Sequence, residues 1–406
     1  MPDLRGKRIL LGITGSIAAY KAAEWLRSLV KEEADVTVVM TEAAERFVSP
    51  LTFAALSGHP VHRDLFDEAP ERVMAHINLS READAILVAP ATAQTIARLA
   101  HGMADNLLCA AILAARVPVV VCPAMNTFML RHPATEDNIR RLQSFGYRIV
   151  QPDSGELACG ESGDGRLADW DAAREALLSL FQPDDLTGMR VLVTAGPTRE
   201  PLDPARFLSN RSSGRMGFAL ARAARRRGAS VALVTGPVQL PDPPGIEVVR
   251  VTTAAEMRQA VLDRASAADV VVKSAAVADF RSAAPADHKI KKTQHSGRID
   301  LVKNSDILAE LGANRFPGQI LVGFAAESRD HVGEGQRKLR EKNADLMVVN
   351  DILGARTGFD VETNQVTLID CRGAVALPLL SKEETADRIW DRVARLRHEQ
   401  SGTEKG

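Results

Sequence analysis

Apolar residues gather along this chain in short, nearly unbroken runs that alternate with stretches of Ala-rich helical period. In the first half, Arg8–Ile13, Asp35–Met40, Ala85–Ala89, Val117–Cys122 and Tyr147–Val150 are rich in Val, Ile and Leu and read as strands. Runs apolar on both faces are what a parallel sheet covered by helices requires. Helices are predicted over Ile17–Lys31, Thr92–Leu99, Asn106–Ala115, Thr135–Phe145 and Asp171–Leu180, several opening on a Thr, Asp or Asn able to cap. The second half repeats the rhythm, with strands at Arg190–Thr194, Ser230–Val234, Glu247–Val251, Asp269–Lys273, Gln319–Ala325 and Asp345–Asn350 and helical segments such as Gly214–Arg227 and Met257–Ser266. Near the end, VTLIDCRGAVALPL alternates around a turn and predicts a hairpin edge, followed by a closing helix over Lys382–His398 and a polar tail expected to fray.

The stretch QPDDLTG has no apolar period and reads as a linker, which divides the chain into residues 1–181, a connection over 182–188, and residues 189–406. Two α/β domains suit the length of 406 residues. A formal net charge of -1 gives no sign of a nucleic-acid or membrane-surface partner, so small-molecule partners are favoured. The four cysteines lack paired spacing, which points to a reducing, cytoplasmic setting. The opening MPDLRGKR has no long apolar segment, and no later run approaches the about 20 residues needed to cross a bilayer, so neither secretion nor membrane insertion is expected.

Each half opens on a strand that runs into a Gly-bearing turn: KRILLGITGSIAAYK in the first and MRVLVTAGPTREPLDP in the second. Such a turn before a helix offers unpaired N–H groups to phosphate, although Gly15 and Ser16 serve equally well in a plain tight turn. Neither opening supplies GxGxxG with an acidic ribose partner, which argues against a nicotinamide-dependent dehydrogenase. His and Cys have no metal-site spacing. A Pro-Ala-Thr turn follows the strand ending at Ala89, and a Gly-rich loop, DSGELACGESGDGRL, precedes the last helix of the first half.

TGSIAAYK, TEAAERFVSP, HINLS, APATAQTIA, PAMN and ACGESGDGR together resemble the flavin-dependent cysteine decarboxylases of the phosphopantothenoylcysteine type, over residues 1–181. The resemblance implies a flavodoxin-like, Rossmann-like flavoprotein fold. It implies FMN across the strand ends, held by Gly15, Ser16, Ile17, Thr41, Pro90 and Thr92, with His76 catalytic, Asn126 on the substrate carboxylate and Cys159 as an acid on a mobile clamp. An ordinary thiol, with a pKa of about 8.5, is mostly protonated near neutrality and suited to donate. A cysteine carboxylate loses CO₂ only when the electrons left behind have an outlet, which the flavin provides. Leu130 stands where the family often has an aromatic, and altered packing is the expected consequence.

GPTREPLDPARFLSNRSSGRMG gathers Arg206 and Asn210 before a Ser-Ser-Gly helix start, and DHKIKK concentrates three lysines. With KSAAVADF, NSDIL and VGFAAES, these motifs resemble phosphopantothenate–cysteine ligase over most of residues 189–396. The resemblance implies a Rossmann-like ligase domain that binds CTP through Ala275, Asp279, Lys289, Ser305, Asp306, Ile307, Leu308, Phe324, Lys338 and Lys342, with Mg²⁺ on the phosphates. Arg206 lies in the same loop as Asn210, and the resemblance implies that Asn210 contacts an acyl-cytidylate intermediate and that Lys289 assists its formation. Ser305 replaces the Pro common before Asp306, which bears on loop rigidity but removes no charge.

Taken together, the resemblances imply a bifunctional enzyme of coenzyme A synthesis. CTP drives condensation of 4′-phosphopantothenate with cysteine, and FMN-dependent decarboxylation of that product then gives 4′-phosphopantetheine. Alternatives are a non-catalytic flavoprotein used as a binding or regulatory module, which the presence of both His76 and Cys159 disfavours, and a first half acting as a flavin prenyltransferase or peptide-cysteine decarboxylase. The resemblance further implies a homo-oligomer: trimers of the flavin domain with FMN at subunit contacts and dimers of the ligase domain, which combine as a dodecamer.

Overall fold

The computed structural model describes residues 4–66, 74–158, 160–291, 298–327, 330–351, 361 and 363–403. The chain forms two compact units, Pro2–Gln182 and Pro183–Gly406, each with its own core.

In the first unit, the strands β1 (Arg8–Ile13), β2 (Asp35–Met40), β3 (Ala85–Ala91), β4 (Val119–Pro123) and β5 (Arg148–Ile149) form one parallel sheet in the order β2-β1-β3-β4-β5. Side chains alternate between its faces. Ile9, Leu11 and Ile13 pack under helices Ala19–Lys31 and Trp170–Ser179, where the Trp25 and Trp170 ring centroids are 5.7 Å apart. Leu10, Ile86 and Val88 pack under Ala75–Glu82, Ala93–Ala100 and Leu107–Ala114. This strand order is flavodoxin-like, and its reversal between β1 and β3 opens a crevice at the carboxyl ends of those strands.

Three local features depart from the sequence reading. The first long helix starts at Ala19 rather than Ile17, because Ser16 to Ala18 make a turn closed by Ala19 N–H donating to Ser16 O at 2.9 Å. Helix Pro50–Ser57, capped by Ser49, was not predicted; it buries only Phe53 and so shows no apolar period. The Gly-rich segment expected to be a loop pairs as an antiparallel hairpin, β6 (Asp153–Glu156) with β7 (Ser162–Arg166).

The second unit holds β8 (Arg190–Ala195), β9 (Arg199–Asp203), β10 (Arg206–Ser209), β11 (Ser230–Thr235), β12 (Glu247–Arg250), β13 (Val270–Lys273), β14 (Phe280–Ser282) and β15 (Leu301–Lys303). It continues with β16 (Ile320–Glu327), β17 (Leu346–Asp351), β18 (Thr363–Asn364), β19 (Val366–Asp370), β20 (Gly373–Ala376) and β21 (Leu380–Ser381). Among the described residues the main sheet runs β12-β11-β8-β13-β16-β17-β19-β20. Its first six strands are parallel in the Rossmann order, with β8 central, and the β19–β20 hairpin is added antiparallel at one edge. Smaller antiparallel ribbons, β9–β10 and β14–β15, stand off this sheet. Thr253 and Glu256 form a capping box that starts the next helix at Ala254 rather than Met257. The tail expected to fray instead prolongs the closing helix to Thr403; Arg372 pairs with Glu399 on it at 2.8 Å.

That closing helix contains a destabilising carboxyl. Burial pushes Asp387 from 3.8 up to about 6 despite Arg226 and Arg227 nearby, and among the described residues its Oδ1 is buried without a hydrogen-bond partner. A carboxyl whose folded pKa is raised loses stability as pH rises from the unfolded value through the folded one. The shift corresponds to about 3 kcal/mol, which partial solvent screening reduces to about 1–2 kcal/mol. Asp387→Asn is therefore expected to raise the melting temperature of this unit above pH 7, with a gain that shrinks steadily toward pH 4.5. A gain independent of pH in thermal melts overturns this account.

Candidate functional site

A cavity of about 790 Å³ lies at the β1/β3 reversal, within the size range of cofactor sites. Gly15, Ser16 and Ile17 line one side, after β1, and Thr92 and Ala93 line another, after β3. Gly15 has no room for a side chain, since a Cβ would lie 2.4 Å from Ala43 Cβ. The Thr14 hydroxyl ties the two turns together by donating to Pro90 O at 2.7 Å and accepting Thr92 N–H at 3.1 Å. Thr92 also caps helix Ala93–Ala100. Thr41 and Pro90 lie outside the lining. The Thr41 hydroxyl donates to Ile13 O at 3.4 Å, and Pro90 acts through Thr14. His76 is half-buried on helix Ala75–Glu82 and does not line the cavity of its own chain.

Asn126, at the carboxyl end of β4, completes the cavity together with the β6–β7 hairpin. Its Oδ1 accepts Phe128 N–H at 2.9 Å, which fixes the amide so that Nδ2 donates to Glu161 Oε2, also at 2.9 Å. The hairpin docks on this segment by backbone: Met125 N–H donates to Gly165 O at 2.9 Å, and the Thr127 hydroxyl donates to Asp164 O at 2.7 Å. The Ser154 hydroxyl and the Arg131 guanidinium hold the Asp164 carboxyl below its ordinary range. Cys159 lies outside the described residues; its neighbours Leu157 and Ala158 line the cavity. Cys109 and Cys122 are buried, and burial pushes both thiols up, away from proton transfer near neutrality.

In the second unit a cavity of about 560 Å³ opens at the carboxyl ends of β13 and β16. Ala275, Asp279, Ser305, Asp306, Ile307 and Leu308 meet there with Phe324, Lys338 and Lys342. Asp306 caps helix Ile307–Ala313, accepting Ala309 N–H at 2.9 Å, and faces Lys342 Nζ at 2.9 Å. Burial would raise its carboxyl, but the Ala309 N–H and Lys342 hold it below the ordinary range. Lys338 donates to Glu327 Oε1 at 2.5 Å.

Arg206, Asn210 and Lys289 do not line this cavity; they belong to the neighbouring ribbon region. Asn210 Nδ2 donates to Ala276 O at 3.2 Å and Val277 O at 3.1 Å, which places its amide beside the segment leading into the cavity. Arg206 pairs with Asp203 at 3.4 Å, and exposed Lys289 precedes Ile290, whose N–H donates to Asp203 Oδ2 at 3.2 Å. Lys292, the last lysine of the cationic run, lies outside the described residues. Ser212 and Ser213 line a separate hollow with Arg199 and Arg215 at the start of helix Arg215–Arg226. Sequence reasoning missed Glu161 and Lys273. The first looked like one more loop acid and the second like the end of an apolar strand, although a lysine closing a fully buried run was itself a signal.

A flavodoxin-like sheet with a cofactor-sized crevice, joined in sequence to a Rossmann-like sheet with a lysine-lined cavity, defines a two-domain α/β enzyme with two separate sites. Residues 2–181 match the family model described as Flavoprotein, and residues 186–396 match that described as DNA/pantothenate metabolism flavoprotein C-terminal domain. The chain is 46% identical over 402 residues to the coenzyme A biosynthesis bifunctional protein CoaBC of Vibrio cholerae, covering 98% of this chain and 100% of the relative. It is 45% identical over 398 residues to the Bacillus subtilis protein of the same description, covering 97% and 98%. A crystal structure of the C-terminal domain of a CoaBC protein covers 53% of this chain and 99% of that one at 40% identity, with a TM-score of 0.46. The chain belongs to the family of bifunctional coenzyme A biosynthesis proteins, which unite a phosphopantothenoylcysteine decarboxylase and a phosphopantothenate–cysteine ligase.

Proposed function

We propose that residues 189–406 use CTP, with Mg²⁺ carried on its phosphates, to activate 4′-phosphopantothenate, and that residues 1–181 use FMN to decarboxylate the resulting phosphopantothenoylcysteine. The observation that carries the ligase reading is the convergence of nine side chains expected to hold the nucleotide, from Ala275 to Lys342, on one cavity. A carboxylate is a poor acylating agent because its leaving group would be oxide. Its oxygen attacks the α-phosphorus of CTP, pyrophosphate departs, and the amine of cysteine attacks the acyl carbon and expels CMP. Lys289 is assigned to the charge that develops on the α-phosphate, and Arg206 and Asn210 to the acyl substrate.

The crevice suits FMN in size and position, with the Gly15–Ile17 and Thr92 turns as its cradle and Thr41 and Pro90 as supports. When bound, FMN supplies the two-electron acceptor that makes loss of CO₂ feasible. Asn126 is assigned to the substrate carboxylate. Glu161 already offers a carboxylate to its Nδ2, and the substrate's would take that place. Cys159, between β6 and β7 in sequence, is assigned as the proton donor. His76 is assigned to catalysis from a neighbouring copy, in keeping with a trimeric flavin domain within a dodecamer. A cytoplasmic setting fits these soluble substrates, and among the described residues no helix is long and apolar enough to cross a membrane.

The test is incubation of the purified chain with 4′-phosphopantothenate, cysteine, CTP and Mg²⁺, followed by mass spectrometry. A yellow protein that yields 4′-phosphopantetheine, CO₂, CMP and pyrophosphate is expected. Absence of the amide defeats the ligase assignment, and amide that accumulates without CO₂ release defeats the other.

A further inference from the structure

Lys273 ends the run Val270–Lys273 on β13. Val270 and Val272 belong to one core of the second unit, whereas Val271 packs with Met257 and Leu311 on the opposite face. The period of two places Lys273 on the face of Val271, at the carboxyl end of the strand, where it lines the nucleotide cavity. It is only 7% exposed. Among the described residues its ammonium has a single polar contact, Met257 Sδ at 3.9 Å. A thioether is a weak acceptor and an ammonium carries three donors, so this group is buried with nearly all its hydrogen-bonding capacity unspent.

The other charged groups facing the cavity are already engaged or stand in solvent. From helix His331–Glu341, Arg337 binds Glu334 and Glu341, and Lys338 binds Glu327. Lys342 pairs with Asp306. Asp279 and Lys303, from the β14–β15 side, are exposed. Around Lys273 the lining includes Phe324, Leu308 and Met347, a wall that tolerates a neutral ring better than a hydrated triphosphate.

We propose that Lys273 is the base-reading donor of the nucleotide site, with its ammonium directed at the ring acceptors of cytosine, the carbonyl oxygen O2 and the unprotonated ring nitrogen N3, and not at the phosphates. The assignment rests on the reading of this cavity as the CTP site. On a ring edge that presents N–H at position 3, as uracil does, an all-donor group keeps the O2 acceptor but loses the N3 one and faces an unpaired N–H, which disfavours that base. Burial also lowers the ammonium to about 8, a shift that Asp306 opposes, so the donor is charged near neutrality and is lost in mild alkali.

The test uses the full chain, wild type and Lys273→Met, titrated calorimetrically with CTP, cytidine and inorganic tripolyphosphate. The variant is expected to bind CTP and cytidine about ten- to a hundredfold more weakly and tripolyphosphate unchanged, with a melting temperature no lower than wild type. Wild-type affinity for cytidine is expected to fall as pH rises through about 8, with the variant's flat over that range. Unchanged cytidine binding, or a loss on tripolyphosphate instead, overturns the proposal. A wild-type chain that binds no CTP overturns the underlying site reading, and the proposal with it. Should the variant fail to fold, the wild-type pH profile for cytidine decides.

Discussion

A Gly165→Ala chain is expected to release CO₂ from phosphopantothenoylcysteine about a hundredfold more slowly than wild type while making that compound from its precursors at the normal rate. Gly165 holds φ +131°, and a Cβ there would sit 2.1 Å from Met125 O. The methyl group therefore has to push β7 away from the segment that presents Asn126, and it breaks the Met125 N–H to Gly165 O bond. Gly163 is constrained in the same way, since its Cβ would meet Thr127 Oγ1 at 2.4 Å. Displacement by about 1 Å of Asn126, the group assigned to the substrate carboxylate, is enough for the predicted loss. The flavin-to-protein absorbance ratio separates a displaced hairpin from a lost cofactor. Normal CO₂ release in the variant would falsify the claim that backbone docking of the hairpin sets this geometry.

The complementary lesion is Asn210→Asp, which is expected to reduce kcat/KM for amide formation by about 10²–10³ and to leave decarboxylation of supplied phosphopantothenoylcysteine untouched. The Asn210 amide donates to two carbonyls, Ala276 O and Val277 O. Aspartate presents oxygen to both. Two hydrogen bonds disappear and a repulsion replaces them, for a combined effect of about 3–4 kcal/mol. Coupled release of CMP and pyrophosphate is the readout. Loss of both activities together would instead indicate general unfolding, which a thermal melt identifies.

The strands were legible because a sheet covered on both faces needs apolar residues at every position, as in Ala85–Ala89 and Val270–Val272. The hairpins β6–β7 and β9–β10 were not, because Gly, Asp and Pro interrupt them and the β9 side chains that are buried, Glu200 and Asp203, are polar. No apolar alternation can be read where the buried positions carry carboxylates. The second unit's cavity draws residues from segments as distant as Ala275 and Lys342, so spacing alone could not assemble it, and only resemblance to a family grouped them beforehand. Lys273 escaped for a different reason. Its role depends on which face of β13 it occupies, and that follows from which helix covers Val271.

Asp203, whose side chain is buried in the second unit, has a consequence for how binding energy is divided. Its carboxylate accepts N–H groups from Ala205 at 2.8 Å and Ile290 at 3.2 Å, and Ala286 N–H donates to Leu202 O at 2.9 Å. Fixing a backbone residue costs about 1–2 kcal/mol of conformational entropy. Because the chain fold already anchors this segment on either side of Lys289, much of that cost falls on folding rather than on the ligand proposed for it, and on that proposal more of the binding energy remains available to act on the phosphate under attack.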